Sequence, residues 1–335
     1  MIQSSPQQTI QNVVEQFVRE ELSHENAHIA GAVWSMLDAG GKRLRPRITM
    51  LACLACNAAA SEDPVLASYM ELIHVATLIH DDVLDNADLR RGRESTNRAF
   101  GNRFSVLAGD YLFSWVFKKI TQGYAPPIPT ILAAMLSDIC NGEVKQLRAA
   151  GDVELSATRY YEIIGKKTAE LFAACAEVGA INGLIQAGRA PGPALRNAPE
   201  VRMLREYGRL FGLAFQIRDD IYDVVASEAE LGKPSGSDVR EKKMTLPMIN
   251  ALKLGDHAFR RAVEKLFELE DLDSAEAKPL LAEAMQGMRS GPAIDATNAA
   301  MAEHADAAER ALDDLHPTPA RDELAALART LKQFS

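Results

Sequence analysis

Apolar residues recur at helical spacing along nearly the whole chain. In "DPVLASYMELIHVATLIHDDVLD", Val65, Tyr69, Leu72, Val75 or Ala76, and Ile79 fall three or four positions apart, the period of one helix face. Asp63 is placed to cap that helix and Pro64 to fill its first position. The same period starts at Val201 in "VRMLREYGRLFGLAFQIRDDIYDVV" and runs through Ser105 to Ile120, Ile128 to Arg148, and Lys167 to Ile185. An alanine-rich amphipathic segment closes the chain from Ala293 to Phe334. Turn residues gather in "QGYAPPIP" (122–129), "AGRAPGPALRNAP" (187–199) and "LGKPSGSD" (231–238). No stretch alternates convincingly with the period of a strand. The pattern predicts an all-α fold, one domain over 1–335 built from about a dozen helices.

Composition adds little but excludes some classes. Hydrophobic residues make up 47% and charged residues 25%, ordinary for a globular chain. A net charge of −9 argues against nucleic-acid binding by bulk charge. No apolar run approaches the ~18 residues of a bilayer span. The start, "MIQSSPQQTIQNVVEQF", lacks the basic-then-apolar order of a secretory signal, so the cytoplasm is the expected compartment. Cys53 and Cys56 form a C-x-x-C inside the apolar run "ITMLACLACNAAA". Cys140 and Cys175 complete no zinc set, so packed thiols are expected.

Acid groups change the picture. Asp81, Asp82 and Asp85 crowd into "DDVLD" at the end of an apolar helix, and Asp219, Asp220 and Asp223 do the same in "DDIYD". Residues four apart share a helix face, so Asp81 pairs with Asp85 and Asp219 with Asp223; Gln216 joins the second face. Like charges this close raise one another's pKa and cost stability unless something positive offsets them. Oxygen ligands without His or Cys suit a hard cation, and Mg²⁺ binds through a few carboxylates together with substrate phosphates. The two clusters therefore predict several Mg²⁺ ions bridging protein to a diphosphate.

Cations stand beside these acids: Lys42, Arg43 and Arg45 in "GGKRLRP", Arg90 and Arg91 after the first cluster, Lys166 and Lys167 with Thr168 at an expected helix start, and Lys233 after the second cluster. Arg matches phosphate oxygens in pairs and Lys adds point charge. His74 lies two turns before Asp81 and is expected to face the same cleft; His80 is expected to be structural.

These segments together resemble the trans-polyprenyl diphosphate synthases. "GGKRLRP", "ELIHVATLIHDDVLD" with "RRG", "GKKTAELF", "GLAFQIRDDIYD" and "LGKPSGSDVREKKMTLP" match that family's motifs in order, from about residue 30 to 255, with a compatible helical tail over 256–335. The resemblance implies an isoprenoid-synthase helical bundle with a central apolar cavity, working as a homodimer. It implies condensation of isopentenyl diphosphate onto an allylic diphosphate, with Mg²⁺ held by Asp81, Asp82, Asp85, Asp219, Asp220 and Asp223. Arg90, Lys167, Thr168, Gln216 and Lys233 would meet the allylic diphosphate or its ions, and Lys42, Arg45, His74 and Arg91 the isopentenyl diphosphate. Lys242 stands where the family usually has glycine, which shifts the usual lysine role to Lys243 and leaves open whether Lys242 intrudes.

In such a site the growing chain would run beside the first aspartate helix, meeting Thr77 and Ala76 first, then Ile73 and Met70. Leu132, with Ile120 and Met135, is a candidate floor. Short-chain members place an aromatic near Ala76 or Thr77. Small residues there imply a long product, octaprenyl by resemblance, which serves elsewhere as a quinone side chain and would touch the membrane on release. Alternatives are a geranylgeranyl or farnesyl synthase, a terpene cyclase, a His-Asp metal phosphohydrolase using His80, and a non-catalytic partner subunit. The intact second cluster and "GGKRLRP" argue against the cyclase, the second cluster with Lys167 and Thr168 against the phosphohydrolase, and the retention of all six aspartates against the partner subunit.

Overall fold

The computed structural model describes residues 12, 15–16, 19–20, 27–38, 41–57, 59–60, 63–90, 92–226, 235–272 and 274–333. Helices dominate, as the apolar period predicts. Among the described residues the regular strands are two short ones, Leu89–Arg90 and Arg93–Glu94, paired antiparallel with Leu89 opposite Glu94. Two residues each are too few to show alternation in the sequence.

The chain divides into two compact units. One comprises Met1–Ala134, Phe172–Gly208 and Ala311–Ala325; the other comprises Met135–Leu171, Arg209–Arg310 and Ala326–Ser335. The division falls inside four helices, Ile128–Arg148, Glu170–Gln186, Pro199–Val225 and Pro319–Thr330.

In the first unit the helix Pro64–Leu84 carries the first aspartates. It begins as its sequence dictates. The Asp63 carboxylate accepts the Leu66 amide at 2.9 Å, with Pro64 in the first turn. Tyr124 and Asn182 also donate to that carboxylate, at 3.0 Å each to Oδ2, so the cap ties three segments together. Leu66, Met70, Leu72, Ile73, Ala76 and Ile79 are fully buried, each large aliphatic side chain contributing on the order of 1.5–3 kcal/mol. The helix packs on Leu44–Cys56 and Asn102–Gly123. His80 lies over Gly109, where a Cβ would come within 2.2 Å of its Nε2, and that nitrogen is 3.1 Å from the Val106 carbonyl. His80 is thus a packing residue.

In the second unit, Leu246–Leu254 packs on Gly291–Arg310, and His257–Glu268 on Ala277–Arg289. Two expectations are corrected. The tail from Ala293 is not one segment: Gly291–Arg310 and Pro319–Thr330 are separate helices, joined by a turn and irregular chain over 311–318, and Pro319 opens the second. Lys167 and Thr168 do not open a helix. They lie in a π-helical turn, Gly165–Ala169, between Ala157–Ile164 and Glu170–Gln186. The backbone there comes so close to Gly142 that a Cβ would sit 2.5 Å from the Lys167 nitrogen. The stretch Ala157–Gln186 is also long and apolar enough to cross a membrane, contrary to the reading of apolar runs, and 83% of that window is buried in the protein, as in a core helix.

Cys53 and Cys175 are buried, Cys56 is half-buried and Cys140 is exposed. Burial pushes the Cys53 and Cys56 thiols up to about 12, so neither offers a thiolate.

Candidate active site

In the first unit the helix ends at Leu84, and Asp85 closes it with its amide on the Asp81 carbonyl at 2.8 Å. Asp81 and Asp85 are half-buried, whereas Asp82 is wholly buried. Arg90, on the first short strand, donates Nε to Asp82 Oδ1 at 2.7 Å and brings Nη2 to the same oxygen. Asp82 Oδ2 accepts no hydrogen bond. Burial pushes this carboxyl up, while Arg90 and the nearby Thr96 amide pull it down.

The basic residues of this unit divide by exposure. Lys42 is exposed. Arg43 turns inward instead, ion-paired to buried Glu71 and donating to the Leu37 carbonyl at 2.7 Å. It sits at φ 47°, an uncommon backbone for a residue with a Cβ. The Arg45 guanidinium stacks on the Phe172 ring at 4.5 Å. His74 is half-buried, and its carbonyl accepts the Thr77 hydroxyl at 2.7 Å. Ala76, Ile73 and Leu132 are fully buried and Thr77 half-buried. Arg91 lies outside the described residues, as does Lys233 in the second unit.

The second unit gathers five predicted residues around one cavity of about 150 Å³: Lys167, Thr168, Gln216, Asp220 and Lys243. The Thr168 hydroxyl donates to Gln216 Oε1 at 2.7 Å, and Gln216 Nε2 donates to Asp220 Oδ1 at 2.8 Å. Lys167 pairs with Glu143 at 2.6 Å, and Lys243 with Glu241. Asp219 is exposed, but Asp220 and Asp223 are buried, so the expected shared face does not give Asp219 and Asp223 the same surroundings. Asp223 accepts the Ser237 hydroxyl at 2.7 Å and the Asp238 amide at 3.1 Å, pinning the segment that follows residue 234. Burial pushes the Asp220 carboxyl up to about 7, helped by Asp219 and Asp223 and opposed by its hydrogen bonds.

Sequence reasoning missed Tyr160, whose hydroxyl donates to Asp220 Oδ2 at 2.6 Å, and missed Glu143 and Ser237. A signal for Tyr160 was present: it precedes Lys167 by two helical turns, in the first of two adjacent tyrosines. Lys242, the departure from the resemblance, does not intrude. It adopts φ 54°, the conformation glycine accepts at no cost, and its ammonium turns to the Phe267 and Leu269 carbonyls.

Among the described residues no three His, Cys, Asp or Glu side chains converge as a ready metal cage. The buried, unpaired Asp82 Oδ2 and a donor set of oxygens alone fit a hard cation.

A helical scaffold with two D-D-x-x-D helix ends and a lysine-lined cavity is the mark of an enzyme that handles diphosphates. The chain belongs to the polyprenyl synthetase family, whose model matches residues 26–285. It is accordingly a prenyltransferase of the trans-polyprenyl diphosphate synthase type. It is 33% identical to the octaprenyl diphosphate synthase of Escherichia coli (strain K12), over 94% of this chain and 93% of that protein. It is 35% identical to a short chain isoprenyl diphosphate synthase of Methanothermobacter thermautotrophicus, over 88% of this chain and 86% of that protein. Its fold matches the crystal structure of a polyprenyl synthase from Caulobacter crescentus CB15 complexed with calcium and isoprenyl diphosphate. There the TM-score is 0.86 at 34% identity, covering 97% of this chain and 94% of the other.

Proposed function

We propose that this chain adds isopentenyl diphosphate repeatedly to an allylic diphosphate such as farnesyl diphosphate, and that its product is long, octaprenyl diphosphate being the single best assignment. The observation that carries the length is the buried Ala76, with Thr77 beside it, one turn before Asp81. An aromatic ring there would fill the space; an alanine leaves it to an apolar chain, which gains about 0.8 kcal/mol per buried carbon group. The octaprenyl diphosphate synthase of E. coli supports the same length. The short chain relative from M. thermautotrophicus supports a shorter product at equal similarity, so the two lengths are the readings to separate.

Mg²⁺, when bound, supplies positive charge against the oxygens of the leaving diphosphate. Asp81, Asp82, Asp85, Asp219, Asp220 and Asp223 would hold it, and the calcium in the C. crescentus complex supports a divalent ion. Lys167, Lys233 and Lys243 add fixed cations around the diphosphate, so that charge is stabilised as it develops. Thr168 and Gln216 orient its oxygens, Arg90 anchors Asp82, and Lys42, Arg45, His74 and Arg91 bind isopentenyl diphosphate. The buried side chains of Ile73, Ala76 and Leu132 keep water from the allylic carbon. A cytoplasmic homodimer, brief membrane contact on release and use of the product as a quinone side chain complete the proposal, all by family resemblance.

The test is to incubate purified protein with farnesyl diphosphate, labelled isopentenyl diphosphate and Mg²⁺, then to size the dephosphorylated products. A ladder ending near the octaprenyl alcohol supports the reading; one ending at geranylgeraniol favours the short-chain alternative.

A further inference from the structure

We propose that Tyr160 is a positioning residue for the reaction, holding Asp220 so that this carboxylate, Gln216 and Thr168 form one ordered polar wall of the cavity. The inference deepens the function proposed above and rests on it. Tyr160 is 2% exposed, and Asp220 is 3% exposed. The two carboxylate oxygens of Asp220 each take a donor, the Tyr160 hydroxyl at 2.6 Å on Oδ2 and the Gln216 amide at 2.8 Å on Oδ1. Two donors on opposite oxygens fix the plane of the carboxylate.

The order then propagates. With its carbonyl accepting the Thr168 hydroxyl at 2.7 Å, Gln216 presents its nitrogen to Asp220. Thr168 is next to Lys167, whose ammonium is held by Glu143 at 2.6 Å. All of these side chains except Glu143 line the same cavity, so a diphosphate entering it would meet groups already aligned. A packing role alone is the rival explanation, because Tyr160 also meets the Tyr161 ring edge-on at 5.4 Å.

Tyr160→Phe separates the two, since it keeps the ring and removes only the hydroxyl. Binding of inorganic diphosphate with Mg²⁺ is measured by calorimetry for wild type, Tyr160→Phe, Asp220→Asn and the double variant, with a melting curve for each. The expected result is at least ~10-fold weaker binding in Tyr160→Phe, the scale of one hydrogen bond to a charged group. Because the effect runs through Asp220, the same change should cost less than about twofold in the Asp220→Asn background. Wild-type binding in Tyr160→Phe, with or without a lower melting temperature, overturns the proposal, as does an equal penalty in both backgrounds. If wild type itself shows no Mg²⁺-dependent binding, the function proposed above fails and takes this inference with it.

Discussion

The Lys242 ammonium donates to the Phe267 carbonyl at 2.7 Å and, with a second hydrogen, to Leu269 at 2.8 Å. These carbonyls close the helix His257–Glu268, where backbone oxygens lack partners and a cation is favoured. The Lys242 carbonyl in turn accepts the Gly151 amide at 2.8 Å. A residue that departs from the family's glycine therefore joins three segments of its unit and leaves the cavity to Lys243.

Two opposing terms decide what Lys242 does for stability. Lys242→Met keeps the left-handed backbone but removes both charged hydrogen bonds, and should cost roughly 1.5–3 kcal/mol in urea unfolding. Lys242→Gly loses the same bonds but relieves about 1–2 kcal/mol of backbone strain, so it should be the milder change. Both should condense substrate at near wild-type rates. A large drop in rate with unchanged stability would show that the cation acts on substrate.

Arg90 should prove to be a partner of Asp82 before anything else. Arg90→Ala leaves a buried carboxylate unpaired and should destabilise the protein by about 3–5 kcal/mol. Adding Asp82→Asn should restore much of that stability without restoring activity. If Arg90→Ala melts like wild type while the Michaelis constant for the allylic diphosphate rises steeply, Arg90 is mainly a substrate ligand.

Ala76→Tyr should shorten the product to about three or four five-carbon units, because on the proposed reading its ring would take the space that the alanine leaves to the growing chain. Thin-layer sizing of the dephosphorylated products reads the outcome. An unchanged ladder would remove Ala76 from the path of the chain.

How much of this was legible in the sequence depends on how local the cause is. Asp63 and Pro64 announced the start of the first aspartate helix because a cap is made within four residues. The run from Ile128 to Arg148 was bounded correctly by its apolar period. The π turn at Thr168 was hidden, because it accompanies a close approach to Gly142, more than twenty residues earlier in the chain. The partners of Asp220 and Asp223 were equally hidden: Tyr160 and Ser237 lie on other segments, and no period links them. Six aspartates looked alike as letters; the structure makes Asp219 exposed and Asp82, Asp220 and Asp223 buried with protein donors.

The central claim is that the Mg²⁺-dependent condensation needs carboxylates of each cluster. It is tested most directly by the initial rate of labelled isopentenyl diphosphate incorporation in wild type, Asp81→Asn and Asp219→Asn, with Mg²⁺ and with chelator. Asp81 and Asp219 are at least partly exposed, so their loss should leave the fold intact. The account predicts no incorporation with chelator and a fall of at least ~10²-fold in each variant, the scale of losing one key electrostatic group. Normal incorporation by both variants, or by wild type without divalent ions, would contradict it.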